Sequence, residues 1–218
     1  MLPTHFIVED KELLDSNTGK AGGIVMRYTG TCRLHPWSSR EGEMVMDGRG
    51  IAYLENGDVY EGETRLGMFD GNGTMNYVNG DLYDGQWQNH LRHGYGVLET
   101  MADKGSYCGI FRNGERDGMA EEIRPNCSFV GLYRDGKRNG VGRATLATGE
   151  VVDGVFKNGR LTGICTITYA DGDTFVGNFV GGATHGKGEY LEHASGNRFE
   201  EAFEHGICTR GVLLPTED

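Results

Sequence analysis

The sequence predicts an all-β protein, an elongated single-layer antiparallel sheet built from consecutive β-hairpins. One observation is a repeat of about 23 residues, a unit too short to bury a core alone, so that each copy must stack on its neighbours. A second is the content of 37 glycines, because each interior glycine costs a helix about 1 kcal/mol relative to alanine. A third is a set of Asn-Gly and Asp-Gly dipeptides at regular intervals. The successive copies begin at Tyr60, Tyr83, Tyr107, Phe129, Val152, Phe175 and Phe199.

The first half of each repeat is predicted to be a β-strand with one aromatic face. Tyr83, Gly85 and Trp87 stand two residues apart, which on an extended strand places them on the same face. The missing side chain of the glycine leaves room for a ring to lie against the backbone. Rings packed over glycines are therefore expected to replace a conventional two-layer core.

The second half of each repeat is predicted to be the return strand of a hairpin. Residues such as Met75 and Tyr77 alternate with polar residues, as expected of a strand. Turns that need positive φ are predicted within and between repeats. Within repeats they fall at Asn113-Gly114, Asp135-Gly136 and Asn158-Gly159, and between repeats at Asn56-Gly57, Asn79-Gly80 and Asp171-Gly172.

These residues make the chain resemble the membrane occupation and recognition nexus (MORN) family, whose repeat has the form YxGxWxxGxxxGxG. The copies depart from this pattern at His90, Ala120 and Cys165, and the last copy is degenerate. The resemblance divides the chain into an N-terminal extension or cap (1–27), a degenerate first repeat (28–59), six to seven MORN repeats (60–206) and a C-terminal tail (207–218). It also implies a fold of stacked hairpins forming a rod.

Charge and cysteine content exclude several classes of function. The formal net charge of −11 argues against nucleic acid as a partner, because binding to phosphates depends largely on Lys and Arg. Five cysteines without paired spacing fit a reduced, cytoplasmic compartment. The first residues lack the apolar run of a signal peptide, and no segment approaches the roughly 20 apolar residues of a membrane helix.

The sequence predicts neither an enzyme nor a cofactor or metal site. It contains no Gly-Lys-Ser/Thr phosphate loop and no nucleophile elbow. His90 with His93, and His205 with Cys208, lack a second pair at metal-finger spacing, so they are interpreted as exposed turn residues. A zinc ion held at an oligomer interface by His205 and Cys208 is the alternative.

The leading functional prediction is a scaffold or adaptor that binds a helix or an extended segment of a protein partner along its aromatic surface. Aromatic side chains are common anchors of protein interfaces. The resemblance implies a cytoskeletal, ciliary, flagellar or membrane-associated assembly, and homodimers in some members. Family rings also form the structural core. The expected contact residues are Trp87, Phe111, Tyr133, Phe156 and Phe179.

The alternative is recognition of phosphoinositides or other anionic membrane lipids through a basic hairpin edge. Arg92, Arg116 and Arg138 occupy equivalent positions near successive turns and are expected to align along that edge. The opposite edge carries acidic residues, and the simpler interpretation of both edges, which we favour, is a solvated rim of weak ion pairs. The sharper interpretation is a row of charges that attracts acidic partners or anionic lipid headgroups. The residues of the proposed basic edge are Arg112, Arg134, Lys137, Arg138 and Lys157.

A second candidate docking surface is an apolar stripe on the face opposite the tyrosines. Ile110, Leu132 and Val155 hold equivalent positions in three consecutive repeats, where flanking repeats have residues such as Glu63 and Gln86. The stripe is interpreted as a docking or self-association surface, or as a surface turned inward by tight curvature.

Overall fold

All regular structure in the described residues is β-strand. The computed structural model describes residues 6–11, 25–34 and 44–215, with side chains from residue 27 onward, and no helix occurs in these ranges. The strands are β1 Phe6–Lys11, β2 Val25–Leu34, β3 Met44–Leu54, β4 Val59–Arg65, β5 Met68–Asn76, β6 Leu82–Gln88, β7 Leu91–Thr100, β8 Gly105–Arg112, β9 Glu115–Arg124, β10 Cys127–Arg134, β11 Lys137–Leu146, β12 Val151–Lys157, β13 Arg160–Thr168, β14 Thr174–Val180, β15 Ala183–Leu191, β16 Arg198–Glu204 and β17 Ile207–Leu213.

The chain forms two compact units, Met1–Glu115 (the first unit) and Arg116–Asp218 (the second unit). In the first unit each strand from β1 to β8 pairs antiparallel with the next. In the second unit the same holds from β9 to β17. Each unit is therefore a sheet of consecutive hairpins, which confirms the predicted fold class.

The turns within repeats are two residues long, and both residues have positive φ. This conformation matches the right-handed twist of paired strands and favours Asn, Asp and Gly. The predicted turns Asn113-Gly114, Asp135-Gly136 and Asn158-Gly159 are confirmed. The other turns of this kind are Leu66-Gly67, Asn89-His90, Gly181-Gly182 and His205-Gly206.

The loops between repeats are held by side-chain hydrogen bonds, so their acidic residues are more than a solvated rim. The Asp58 backbone N–H donates to Asn56 Oδ1 (3.1 Å), and Asp58 is only 8% exposed. Its Oδ1 accepts a hydrogen bond from the Val78 backbone N–H in the next loop (2.9 Å). In the same way Asp81 Oδ1 accepts one from the Met101 N–H (2.8 Å), so these carboxylates link consecutive repeats.

The predicted packing of rings over glycines is present. Gly131 and Gly142 lie directly opposite each other on β10 and β11. A Cβ atom added to Gly142 would lie 2.4 Å from Cζ of Phe129, so the ring occupies the space that any larger residue needs. Tyr83 covers Gly96 in the same way. We call the sheet face that carries these rings the ring face.

Cys165 shows why one repeat tolerates a departure from the glycine pattern. That repeat begins with Val152, which is too short to cover the backbone as a ring does. Cys165 takes the place of the second glycine and fills the gap, because a Cβ on Gly154 would meet its Sγ at 2.4 Å. The smaller first residue and the larger second one compensate each other.

The predicted N-terminal and C-terminal regions are each described only in part by the structure. Most of the expected N-terminal cap (1–27), residues 35–43 and residues 216–218 lie outside the described residues. The expected tail includes β17, which pairs with β16 and places Cys208 opposite Phe203. The hairpin pattern therefore continues through Leu213, beyond residue 206.

Candidate protein-binding surface

The five rings predicted to contact a partner are core residues. Their exposed fractions lie between 1% and 6%. Trp87 packs edge-on against Tyr83 of its own repeat (centroids 5.1 Å apart) and against Tyr60 of the preceding repeat (5.4 Å). Phe156 packs on Phe129 of the preceding repeat in the same way (5.1 Å). These rings join consecutive repeats. Whether they also contact a partner stays a prediction.

A groove of about 310 Å³ opens in the first unit. Its lining includes the buried side chains of Phe69, Met75 and Trp87. Tyr77 and Leu91 line it as well and are only half-buried, so they present apolar surface to a ligand. The volume lies at the lower end of the range of about 300–1,000 Å³ typical of small-molecule sites. A larger opening of about 760 Å³ in this unit is lined by charged and small residues without an aromatic ring.

A guanidinium and an imidazole lie beside these rings in the groove. Cζ of Arg92 lies 5.2 Å from the ring centroid of Phe111, and its Nη2 donates to the Gly114 carbonyl oxygen (3.1 Å). His90 packs edge-on against Phe69 (4.8 Å), and its Nδ1 accepts a hydrogen bond from the Phe69 backbone N–H (3.3 Å). The groove thus combines apolar surface with a fixed positive charge.

The remaining polar groups of the groove come from the loops. Asn56 and Asp58 line it together with Asn113 and Glu115. Burial raises the pKa of the Tyr77 hydroxyl and outweighs the opposing effect of Arg92, so Tyr77 stays neutral and can act as a hydrogen-bond donor. An aromatic floor with polar groups around it suits a peptide segment that has both apolar and polar side chains.

Arg92, Arg116 and Arg138, which were expected to align along a hairpin edge, lie instead on the ring face. Each two-residue turn ends before the strand that carries the arginine, so Arg92 is already the second residue of β7 and stands opposite Trp87. Arg138 stands opposite Tyr133 in the same way. The prediction that Arg138 belongs to an exposed edge is therefore wrong, because it shares the face of the ring it opposes.

In the second unit three arginines of the ring face surround one buried glutamate. Glu122 is 4% exposed and accepts hydrogen bonds from Arg116 Nη1 (2.7 Å), Arg124 Nη2 (2.9 Å) and Arg138 Nη2 (2.8 Å). The Tyr133 hydroxyl also donates to it (2.7 Å). We call these five residues the arginine cluster.

The cluster keeps Glu122 ionised. Burial would raise the pKa of its carboxyl, but hydrogen bonds from Arg138, Tyr133 and Arg124 and the charge of Arg116 outweigh this and lower the pKa to about 2. Burial also raises the pKa of Tyr133 to about 12, so this hydroxyl remains a donor at neutral pH. The carboxylate therefore carries a full negative charge amid three permanent positive charges.

The other predicted edge residues are exposed near the hairpin turns. Arg112 lies in the first unit, at the end of β8. In the second unit, Arg134 and Lys137 flank one turn, and Lys157 and Arg160 flank the next. Arg160 was not among the predicted edge residues, although it follows the Asn158-Gly159 turn directly.

The predicted apolar stripe lies exposed on the face opposite the rings. The exposed fractions are 37% for Ile110, 36% for Leu132 and 41% for Val155. In the second unit Met119 stands opposite Leu132, and Val141 stands opposite Val155, so the stripe is broader there than predicted. Whether it binds a partner stays a prediction.

The histidines do not all occupy exposed turns. His90 is a half-buried turn residue, and His93 lies within β7 with a buried Nδ1 atom that has no hydrogen-bond partner among the described residues. His205 is an exposed turn residue. Within residues 27–34 and 44–215, no group of three or more His, Cys, Asp and Glu side chains is placed to hold a metal ion. The same search range contains no helix long and apolar enough to cross a membrane.

Sequence reasoning missed the half-buried groove residues and Glu122. Counting outward from the two-residue turns would have placed Arg92 opposite Trp87 and thus on the ring face. For Glu122, the available signal was an acidic residue at a position where other repeats have Met75 or Leu98. No sequence pattern indicates the groove, because its shape depends on how far side chains from several strands extend from the sheet.

The fold agrees with the family comparison. The MORN repeat matches residues 60–82, 83–99, 107–126, 129–151, 153–174 and 175–191, which together make up more than half of the chain. The chain therefore belongs to the MORN repeat family. A comparison with curated proteins gave no significant match.

Two of the solved structures with related geometry come from Drosophila melanogaster. One is the TCP domain of SAS-4 (dCPAP) in complex with a proline-rich motif of Ana2 (dSTIL), with 15% identity, coverage of 84% of this chain and 97% of that chain, and a TM-score of 0.41. Another is the TCP10c domain of Sas-4, with 15% identity, coverage of 78% and 94%, and a TM-score of 0.37. At these TM-scores the likeness carries no inference about what this chain binds.

Proposed function

We propose that this chain is a non-enzymatic scaffold whose ring face binds a helical or extended segment of a protein partner. The observation that carries the proposal is the groove of the first unit, in which Tyr77 and Leu91 present apolar surface beside Arg92. Interfaces of this kind are typically anchored by a few aromatic and arginine side chains. We place the scaffold in a cytoplasmic assembly of cytoskeletal, ciliary, flagellar or membrane-associated type, following the family resemblance.

The proposal is tested with a charge placed in the groove. Leu91→Asp puts a carboxylate on the half-buried apolar wall, whereas Met101→Asp places the same charge at an exposed loop position in the same unit. Tagged wild-type protein and both variants are used for affinity capture from the native cell. A partner retained by the wild type and by Met101→Asp, and lost with Leu91→Asp, is the expected result.

Direct binding then separates the groove from other surfaces. A photo-crosslinking residue is introduced at position 91, and the cross-linked partner peptide is identified by mass spectrometry. A segment that cross-links there and binds the wild type at least about tenfold more tightly than Leu91→Asp supports the groove. Equal retention of every captured protein by both variants contradicts it.

A second candidate function is binding to anionic membranes, favoured by four exposed cations beside two consecutive turns of the second unit. Arg134, Lys137, Lys157 and Arg160 are close to one another in the chain and lie at strand ends. Each cation near an anionic bilayer contributes about 1 kcal/mol. Salt-sensitive sedimentation with phosphoinositide vesicles that is lost on changing Arg134 and Lys137 to Glu supports this function, and absence of sedimentation contradicts it.

A further inference from the structure

We infer that the arginine cluster of the second unit is a binding site for the carboxylate groups of an acidic segment in a protein partner. This inference rests on the proposed function, because it states the chemistry of a segment held on the ring face. It concerns Arg116, Arg124 and Arg138 around Glu122.

The first argument is charge. Within the second unit the cluster brings three guanidinium groups to one carboxylate, at distances of 2.7 to 2.9 Å. The arginine side chains are 22%, 36% and 23% exposed, so their charge reaches a ligand on the ring face.

The second argument is that packing does not require this cluster. The equivalent position holds Met75, Leu98 or Ile167 in other repeats, so an apolar side chain can fill the space. A buried ionic group is generally no more stabilising than apolar residues of similar volume. Stability alone therefore does not account for Glu122 and its arginines.

The third argument is pre-organisation. Glu122 fixes one nitrogen of Arg116, one of Arg138 and two of Arg124. Cζ of Arg138 lies 4.3 Å from the ring centroid of Phe129. Guanidinium groups held in this way lose little conformational freedom when they bind a second carboxylate, which they recognise in a planar, two-point geometry. The glutamate thus acts as a positioning residue for its neighbours.

The partly buried position of the cluster arginines favours a peptide over a membrane as the ligand. Most of the surface of Arg116 and Arg138 is covered, and both lie on the ring face among neighbouring side chains. A flat bilayer engages protruding cations, whereas an aspartate or glutamate side chain of a peptide can reach into the sheet face. Arg134, Lys137, Lys157 and Arg160, in contrast, are exposed and flank hairpin turns.

The test measures binding of a fluorescent peptide of alternating Glu and Ala to the full-length chain by anisotropy, with Gln-Ala and Lys-Ala peptides as comparisons. The net charge of −11 makes this stringent, because non-specific attraction favours the Lys peptide. We expect the Glu peptide to bind at least about tenfold more tightly than the Gln peptide, with an affinity that falls as salt rises. Equal binding of the Glu and Gln peptides overturns the inference.

Matched variants locate the site. Arg124→Gln removes one cluster charge, and Arg143→Gln removes the same charge from the opposite face, where Arg143 pairs with Asp153 (2.7 Å). We expect Arg124→Gln to weaken binding of the Glu peptide about tenfold and Arg143→Gln to leave it unchanged. An equal loss of affinity in the two variants would mean that long-range attraction drives binding, and it would overturn the proposed site. Circular dichroism confirms that both variants are folded.

Further arms separate the remaining outcomes. If the wild-type chain sediments with vesicles that contain phosphatidylserine and the Arg124→Gln variant does not, the cluster binds lipid headgroups and the inference is overturned. If the Glu peptide fails while a partner segment still cross-links at position 91, the inference fails and the proposed function stands.

Discussion

At the scale of single residues, the contact between Phe129 and Gly142 explains how one layer of sheet holds together. The ring lies over the backbone and is fully buried, although no second layer of secondary structure covers it in the described part of the second unit. Burying an aromatic ring contributes about 2–3 kcal/mol, so each such contact is a large part of the stability of a repeat.

Gly142→Ala is expected to lower the free energy of unfolding by about 2 kcal/mol, because the new Cβ would lie 2.4 Å from the Phe129 ring. Urea denaturation measures the change. Gly211→Ala is the control, since a Cβ there meets no atom within 4 Å, and it is expected to change stability by less than about 0.5 kcal/mol. Similar losses for the two variants would show that the ring contact is not the cause.

Glu122 is the residue whose removal is expected to cost most for its size. Glu122→Gln removes the buried carboxylate that three arginines share, so the free energy of unfolding at neutral pH should fall by about 3 kcal/mol. Asp153→Asn, which breaks an exposed pair with Arg143, should cost less than about 1 kcal/mol. Chemical denaturation of both variants provides the comparison.

The low pKa of Glu122 predicts that the contribution of this residue to stability depends on pH. The pKa of Glu122 is about 2 in the folded chain and 4.5 in its ordinary state, so its contribution is complete above pH 4.5 and is lost as the pH falls toward 2. The difference in stability between the wild type and Glu122→Gln should therefore shrink over this range. A difference that stays constant from pH 6 to pH 2.5, roughly the span that covers the titration, would contradict the assignment.

At the scale of elements, the two-residue turns set the register of every hairpin within a repeat. Their first residue has φ near +50° in most copies, which Asn and Asp tolerate better than other residues. Leu66 occupies this position at φ 53°, and Asn158 occupies it at φ 52°. At the same turn position, Asn158 therefore has a tolerated backbone conformation, whereas Leu66 has a strained one.

Leu66→Asn is expected to raise the free energy of unfolding by about 1 kcal/mol, and Asn158→Leu to lower it by a similar amount. Both changes leave the backbone N–H groups in place, so the hydrogen bond from the Leu66 N–H to Asp47 Oδ1 (3.1 Å) is retained. Thermal and urea unfolding measure the shifts. Changes of the same sign in both variants would mean that side-chain contacts outweigh the backbone preference.

At the scale of the whole molecule, stability is expected to come from neighbouring strands rather than from a shared interior. In each unit strands pair with the strands before and after them in the chain. Repeat proteins of this kind have stabilities that are approximately sums of repeat terms and neighbour terms. Removal of a strand at one end of a unit should therefore destabilise mainly the strand next to it.

Deletion of residues 207–218 tests this locality. β17 pairs with β16, and every residue from Ile207 to Leu213 is exposed, so its loss should speed hydrogen exchange in β16. Amides of β9 to β11, which carry the arginine cluster, should exchange as in the wild type. Faster exchange throughout the second unit would contradict the neighbour description.

Much of the fold could be predicted because its determinants are local. The turn dipeptide at Asn158-Gly159, the alternation of Tyr83, Gly85 and Trp87, and the pairing of rings with glycines all lie within one repeat. The site was less predictable, because exposure depends on the neighbouring repeats. Trp87 could be assigned to an aromatic face from its sequence, but its burial under Tyr60 and Tyr83 depends on two repeats together.

The sequence by itself determined the hairpin repeat and its place in the MORN family, because period, turn residues and ring spacing are read within one unit of the chain. Only the tertiary structure decided which side chains a partner can reach. Arg138 meets Glu122 across 16 residues of sequence, and that contact requires the register of β10 with both of its neighbours. Charge and burial at a sheet surface are set by such long-range pairs, since each strand supplies only part of the surroundings of any side chain.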